Sequence, residues 1–330
     1  MSLILPIVFF FLGLFILVKS SDYLVDGASS IAGKFNISPI VVGLTIVAFG
    51  TSAPELVVSI TSALSGSTDI ALGNVVGSNI FNILFILGVS ALIYPISLKK
   101  NTVWKEIPFS LLAVLLLLFF GASLAIDKGQ FIDIYGLSTL TVLGKSYGLT
   151  LLSIFVVFMY YVFGIAKTTG DIDNVEIKEM PIWKSSLTVF LSLLFLSLSA
   201  KFLVTDSAIA IAKILGVSEA LIGLTIVAVG TSLPELATSV TAAVKKNSDI
   251  AIGNVVGSNI FNILFVLGST LMIKDVPING QNVFDIIFLV FTTVFLFISV
   301  FVLQKFKLNK IEGISMIILY IAYTVFIINR

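Results

Sequence analysis

The sequence predicts an all-α polytopic membrane protein in which ten transmembrane helices form two inverted five-helix repeats. Three observations lead there. Of 330 residues, 58% are hydrophobic and only 11% charged, whereas soluble domains carry roughly 45–50% apolar and about 25% charged residues. The apolar residues gather into ten runs bounded by charge, Gly or Pro, at about 3–33, 38–64, 69–95, 106–126, 147–166, 185–213, 218–244, 249–273, 282–303 and 311–328, each long enough for a spanning helix of about 17–25 residues. Finally, residues 43–88 and 223–268 align without a gap at an offset of 180, with 33 of 46 positions identical.

Residues 3–18 are almost wholly apolar, but no basic segment precedes them and no small-residue cleavage site follows. The first run is therefore expected to stay in the mature chain as a span. It is long and holds Lys19, Asp22 and Asp26, which predicts tilt and a flank against protein. Spans two and three carry the first repeat. Residues 127–146, rich in Gly, Thr and Ser, read as a loop with an interfacial piece. Residues 167–184 hold Asp171, Asp173, Glu176, Lys178 and Glu179 and read as a linker too short for a soluble domain. The chain thus divides into a first half (1–166), the linker (167–184) and a second half (185–330) that carries the second repeat (223–268).

Loop charge orients this array. Loops after odd-numbered spans hold twelve lysines: Lys34, Lys99, Lys100, Lys105, Lys167, Lys178, Lys184, Lys245, Lys246, Lys305, Lys307 and Lys310. Loops after even-numbered spans and the C-terminus hold five cations: Lys128, Lys145, Lys213, Lys274 and Arg330. The positive-inside rule predicts a multi-pass protein of the cell membrane with both termini outside and the linker cytoplasmic. Five spans per half is an odd number, so the second copy should enter the membrane upside down. The connectors agree: SGSTD (65–69) has no cation, whereas its counterpart KKNSD (245–249) has two. Inverted repeats around a midplane site are a recurring plan of secondary transporters.

Net charge is +1, so there is no basic field for nucleic acid. Cys and His are both absent, which removes disulfides, thiol nucleophiles, imidazole bases and soft-metal sites. Chemistry here must use carboxylates, hydroxyls, amides and backbone. Each repeat places one Glu in the middle of an apolar span, Glu55 and Glu235. A carboxylate at bilayer depth is costly and marks an ion pathway by default. No Lys or Arg lies inside either span to neutralise it, which leaves a proton or a metal ion as partner. One divalent ion or several monovalent ions would match the charge.

Pro54 and Pro234 directly precede these glutamates. Proline removes a backbone donor and clashes one turn back, so each helix should break within GTS, eased by Gly50 and Gly230. The carbonyls of 48–51 and 228–231 are then expected to be free, with the hydroxyls of Thr51, Ser52, Thr231 and Ser232 beside them. The next span repeats Asn74, Ser78 and Asn82, matched by Asn254, Ser258 and Asn262, at the four-residue spacing that shares one helix face. That stripe reads either as interhelical glue or as pore lining. Gly73 with Gly77, and Gly253 with Gly257, are small-xxx-small pairs for close helix approach. A site of oxygens alone suits hard cations, and a flexible cage fits Ca²⁺ and Na⁺ better than Mg²⁺. Asp26 and Asp206 are also matched across the halves; lining an ion path is one reading, a solvated or structural role the favoured one.

The motifs GTSAPEL…GNVVGSNIFN and GTSLPEL…GNVVGSNIFN closely resemble the two alpha-repeats of sodium/calcium exchangers, within the cation/Ca²⁺ antiporter superfamily. The likeness covers nearly the whole chain and is that of a compact prokaryotic member. It implies exchange of Na⁺ for Ca²⁺ by alternating access, a two-helix bundle sliding past a core. Carried over by position, Glu55 and Glu235 would be shared ligands of both ions, and Thr51 and Thr231 would give oxygens to the central ion. Ser52, Ser78, Ser232 and Ser258, with the carbonyls of Ala48 and Ala228, would complete flanking Na⁺ sites. Asn82 is the usual residue of the first repeat, whereas several relatives carry Asp at the position of Asn262; Asn here argues against K⁺ dependence.

The expected function is therefore a secondary active antiporter that exports Ca²⁺ against Na⁺, not an enzyme. It needs no cofactor beyond the transported ions, and its surroundings are the lipid bilayer. H⁺/Ca²⁺ exchange, with Glu55 and Glu235 taking up protons, is the close alternative. A Ca²⁺-permeable channel is the alternative from another class, though channels are usually built from symmetric rings of filter loops. No protein partner can be inferred from the sequence.

Overall fold

The structure, a computed structural model, describes residues 4–127, 136, 139–166, 180–215 and 228–329. The helices are α1 (Ile4–Phe35), α2 (Pro39–Thr51), α3 (Ala53–Leu64), α4 (Thr68–Ile93), α5 (Thr102–Ser123), α6 (Lys145–Ala166), α7 (Ile182–Ile214), α8 (Ala228–Thr231), α9 (Leu233–Val244), α10 (Ser248–Ile273), α11 (Gly280–Val302) and α12 (Lys310–Asn329). Eight are long and apolar enough to span a bilayer, and α2 with α3, bent by 42°, makes a ninth span among the described residues. The tenth expected span, 218–244, is represented by α8 and α9; its first part lies outside the described residues, as do 167–179 of the linker. The two halves form inverted repeats.

Local chemistry sets the boundaries. Asn36, at φ 51°, occupies the left-handed position that ends α1, and Pro39 opens α2 at a position where its missing N–H costs nothing. Asn279 and Asn282 cap α11 reciprocally. α1 has 32 residues and α7 has 33, about 48–50 Å at 1.5 Å per residue, well beyond a ~30 Å hydrocarbon layer. These two long helices pack on each other at small residues: a Cβ on Gly13 would meet Leu203 and Val204, and one on Gly27 would meet Val189.

Burial separates core from periphery. In their most apolar 18-residue windows, 72% of α4 and 94% of α10 are buried, against 17–44% for the other spans. The two central helices are thus the third span of each half, bearing the Asn/Ser stripes. α10 crosses α2 closely: Gly253 lies with its Cα against Gly43, and a Cβ on Gly257 would come within 2.7 Å of the Ala48 Cβ and 2.9 Å of the Leu44 Cα.

The loop reading of 127–146 needs correction. Thr139–Leu143 is a strand, β2, following the short β1 (Ile96–Ser97). β2 pairs antiparallel with β3 (Val276–Asn279), and β1 with β4 (Lys307–Leu308). Each little sheet joins the loop after one half's third span to the loop after the other half's fourth span. β1 and β3 stand at the same 180-residue offset as the repeats, so the sheets are pseudo-symmetric mates tying the halves together. Strands of two to five residues carry no readable alternation.

The symmetry fails around the connectors. Lys245 forms ion pairs with Asp22 (2.7 Å) and Asp26 (2.5 Å) of α1 and donates to the Asp22 carbonyl at 2.8 Å. Ser21 bonds Thr241 at 2.6 Å, and Asn247 donates to Ser29 at 3.1 Å. On the mates of these residues, no bond among the described residues joins Lys201 or Asp206 of α7 to Thr61, Ser65 or Ser67; Lys201 and Asp206 pair with each other instead. One end of α1 is thus fastened to α9 and its connector, whereas the equivalent end of α7 is not fastened to α3. Asp26 stands in an ion pair.

Candidate functional site

The break in the second span falls where Pro54 requires it. α2 ends at Thr51, Ser52 takes φ −81°, ψ 5°, and α3 starts at Ala53 with Glu55 in its first turn. Ser232 repeats the turn with φ −89°, ψ 9°, ahead of Glu235. Anions at a helix N-terminus are favoured by its exposed N–H groups and dipole. Both glutamates are 0% exposed, and neither forms an ion pair among the described residues.

The two turns exchange hydroxyls across the pseudo-twofold axis. Ser52 Oγ donates to Glu235 Oε1 at 3.1 Å, and Ser232 Oγ donates to Glu55 Oε1 at 2.9 Å. Ser78 adds a long bond to Glu55 at 3.5 Å and Ser258 one to Glu235 at 3.4 Å. Thr51 Oγ1 donates to Asn254 Oδ1 at 3.0 Å, and Thr231 Oγ1 to Asn74 Oδ1 at 3.3 Å. Each glutamate is therefore held by hydroxyls of both copies.

Asn74 and Asn254 fasten the broken segments to the central helices. Asn74 Nδ2 donates to the Glu55 carbonyl (3.2 Å) and Ser59 Oγ (3.0 Å); Asn254 Nδ2 donates to the Glu235 carbonyl (3.2 Å) and Ser239 Oγ (2.9 Å). The glue reading of the Asn/Ser stripe therefore holds for its first member. Ser59 and Ser239 belong to this arrangement as well, and their position four residues after each Glu was a usable signal.

Eight buried side-chain oxygens have no hydrogen-bond partner among the described residues, and four of them are matched pairwise across the repeats: Glu55 Oε2 with Glu235 Oε2, and Asn82 Oδ1 with Asn262 Oδ1. Buried acceptors in folded proteins nearly always find a donor, so a matched set of four, two of them on carboxylates, has the chemistry of cation coordination. The donor set is oxygen alone, and Glu55 and Glu235 are its only acidic members. This suits a hard cation.

One part of the expected set does not stand as read. The Ala48 carbonyl is not freed by the break: it accepts the Ser52 N–H at 3.0 Å and the Thr51 hydroxyl at 3.3 Å. The reason is register, since Pro54 withholds its N–H from the carbonyl four residues back, that of Gly50. In the second copy the Ser232 N–H goes to the Val229 carbonyl at 3.1 Å. The glycines also do more than ease the break. A Cβ on Gly50 would run into Leu193, and one on Gly230 into Thr205, both of α7, so each break presses closely on that helix.

Residues 5–164 and 184–329 match the family described as sodium/calcium exchanger protein. The chain belongs to that family. Members are membrane antiporters, so this exchanger-family chain is an ion-transport protein of the membrane. It is 33% identical over 337 residues to sodium/calcium exchanger MaX1 of Methanosarcina acetivorans, with 95% of this chain and 96% of that one covered. It is 36% identical over 269 residues to inner membrane protein YrbG of Escherichia coli strain K12, covering 79% and 78%. Among solved structures it is similar to sodium-calcium exchanger NCX_Mj soaked with 2.5 mM Na⁺ and 10 mM Sr²⁺, with a TM-score of 0.80, 32% identity and 97% and 98% coverage.

Proposed function

We propose that this chain is a secondary active antiporter that exchanges Na⁺ for Ca²⁺ by alternating access and normally exports Ca²⁺. The observation that carries this reading is the pair of fully buried glutamates, each held by a serine of the opposite repeat and each keeping one oxygen without a hydrogen-bond donor. Glu55, Glu235, Thr51, Thr231, Ser52, Ser232, Ser78, Ser258, Asn82 and Asn262 are the side chains assigned to Ca²⁺ and Na⁺. The Ala228 carbonyl joins them, while that of Ala48 contributes only through lone-pair capacity left by its two donors.

Charge explains how one site serves two ions. Two ionised glutamates balance one Ca²⁺, and three Na⁺ in their place leave one net positive charge. Moving that charge across the membrane is worth about 2.3 kcal/mol per 100 mV, so the potential assists Ca²⁺ export. The uneven fastening of α1 and α7 supports alternating access: releasing the Lys245, Thr241 and Asn247 bonds on one face and forming contacts on the other exchanges the roles of two inverted halves.

The test is Ca²⁺ flux into vesicles containing the purified protein, with Na⁺ gradients imposed at fixed pH. Outward Na⁺ gradients should drive Ca²⁺ accumulation above its equilibrium level. Accumulation that follows a pH gradient and ignores Na⁺ would replace this reading with H⁺/Ca²⁺ exchange. Flux that only runs down the Ca²⁺ gradient, indifferent to any counter-ion, would make the protein a channel.

Orientation belongs to the same proposal. Lys246 sits at φ 59°, where its mate Gly66 sits at φ 85°. A non-glycine residue there is disfavoured by about 1–2 kcal/mol, so the cation is kept on that face against a conformational cost. With no native cysteine, Lys246→Cys and Ser65→Cys each create a single thiol. A membrane-impermeant thiol reagent added to intact cells should label Ser65→Cys and spare Lys246→Cys. The opposite pattern would invert the topology.

A further inference from the structure

The exchanged serines account for Glu55 and Glu235, but they do not explain why Asn82 and Asn262 turn oxygen rather than N–H toward their unpartnered side. An amide has both ends, and the wrong end repels a cation. The answer lies in two asparagines outside the four-residue stripe, Asn79 and Asn259, at the crossing of α4 and α10. Asn79 Nδ2 donates to the Asn259 carbonyl at 3.1 Å, and Asn259 Nδ2 donates to the Asn79 carbonyl at 3.2 Å. A backbone carbonyl only accepts, so each of these amides has its nitrogen end fixed and must aim Oδ1 the other way.

That oxygen is where the next residue binds. Asn262 Nδ2 donates to Asn79 Oδ1 at 3.0 Å, and Asn82 Nδ2 donates to Asn259 Oδ1 at 3.0 Å. With their nitrogens committed, Asn262 and Asn82 turn Oδ1 outward from the ring, and those are the two buried amide oxygens that accept no hydrogen bond among the described residues. All four asparagines are at most 1% exposed, so water cannot trade places with any partner. Both central helices also carry a π-turn here, at Asn82–Ile86 and Phe261–Leu267, a local widening common at functional positions.

We propose that Asn79 and Asn259 are positioning residues: each fixes the amide orientation of the ligand asparagine on the opposite repeat, so the site presents oxygen to Ca²⁺ and Na⁺. The arrangement is crossed, Asn79 acting on Asn262 and Asn259 on Asn82, so each half sets a ligand belonging to the other. The inference rests on the reading above that Asn82 and Asn262 are ion ligands. Neither positioning residue touches the ion.

The test uses full-length protein in vesicles, with isotopic Ca²⁺ and Na⁺-driven exchange. Asn79→Ala should raise the KM for Ca²⁺ about 10-fold, the low end of losses from removing a ligand's supporting partner, with a smaller change in kcat. Asn262→Asp offers oxygen at both ends of the side chain and needs no orientation. In that background Asn79→Ala should leave the KM of the Asn262→Asp variant unchanged. An equal KM rise in both backgrounds would make Asn79 merely structural and overturn the proposal, as would a normal KM for Asn79→Ala beside an impaired Asn262→Ala. A wild-type KM for Asn262→Ala would instead remove the ligand reading itself. The mirror set, Asn259→Ala with and without Asn82→Asp, decides the question independently if Asn79→Ala does not reach the membrane.

Discussion

Replacing Glu55 or Glu235 by Gln is expected to abolish Ca²⁺ exchange while leaving a folded, inserted protein. Gln keeps the size of Glu and keeps an oxygen for the serine of the opposite repeat, Ser232 for Glu55 and Ser52 for Glu235. What it removes is one of two negative charges opposite a divalent cation in a fully buried site. Removing one partner of a buried charge pair costs about 3–5 kcal/mol, or roughly 150- to 4,000-fold in affinity. Isotopic Ca²⁺ flux in vesicles, beside a size-exclusion profile of the purified variant, makes the comparison. Near-normal flux by both variants would refute the assignment of the glutamates.

The second large effect is expected at Gly257, which transports nothing itself. A Cβ there would stand 2.7 Å from the Ala48 Cβ, 2.9 Å from the Leu44 Cα and 3.0 Å from the Leu44 carbonyl. Two of those atoms are backbone of α2, so Gly257→Ala must push α2 away from α10. Overpacking of this kind costs about 1–3 kcal/mol. The same shift pulls Thr51 from Asn254, 3.0 Å away, and from Ser258, 3.5 Å away. The variant should therefore melt at a lower temperature in detergent and lose most of its exchange. Gly164→Ala in α6, where a Cβ meets nothing within 4 Å, is the control expected to melt like the parent. Equal melting points for the two variants would show that the α2–α10 crossing is not the constraint described.

Much of this architecture was legible in the sequence because it is written in patterns of short range. Apolar runs gave the spans, a fixed 180-residue offset gave the repeat, and Pro54 and Pro234 located the breaks. The partners of the site residues were not legible. Ser52 stands three residues from Glu55 in the chain yet donates to Glu235, because the turn at Ser52 aims its side chain across an axis that only the assembled halves create. Asn79 and Asn259 escaped for a related reason: they lie outside the four-residue stripe, and only the crossing of α4 and α10 makes them neighbours. Lys245 was readable as a charge but not as the partner of Asp22 and Asp26. The Ala48 carbonyl is not freed as the motif suggested, because the effect of a proline falls four residues back, on Gly50. Glu106 shows the limit of counting apolar runs. It sits at a span edge in the sequence, yet it is 2% exposed and accepts a 2.5 Å hydrogen bond from Tyr161.

The central claim is that Ca²⁺ and Na⁺ contend for the same buried oxygens around Glu55 and Glu235. Equilibrium binding of isotopic Ca²⁺ to the purified full chain, titrated with NaCl against choline chloride at constant ionic strength, tests it most directly. Na⁺ should displace Ca²⁺ completely, with a steep, sigmoidal dependence because several Na⁺ replace each Ca²⁺. Bound Ca²⁺ that Na⁺ fails to displace would contradict the claim.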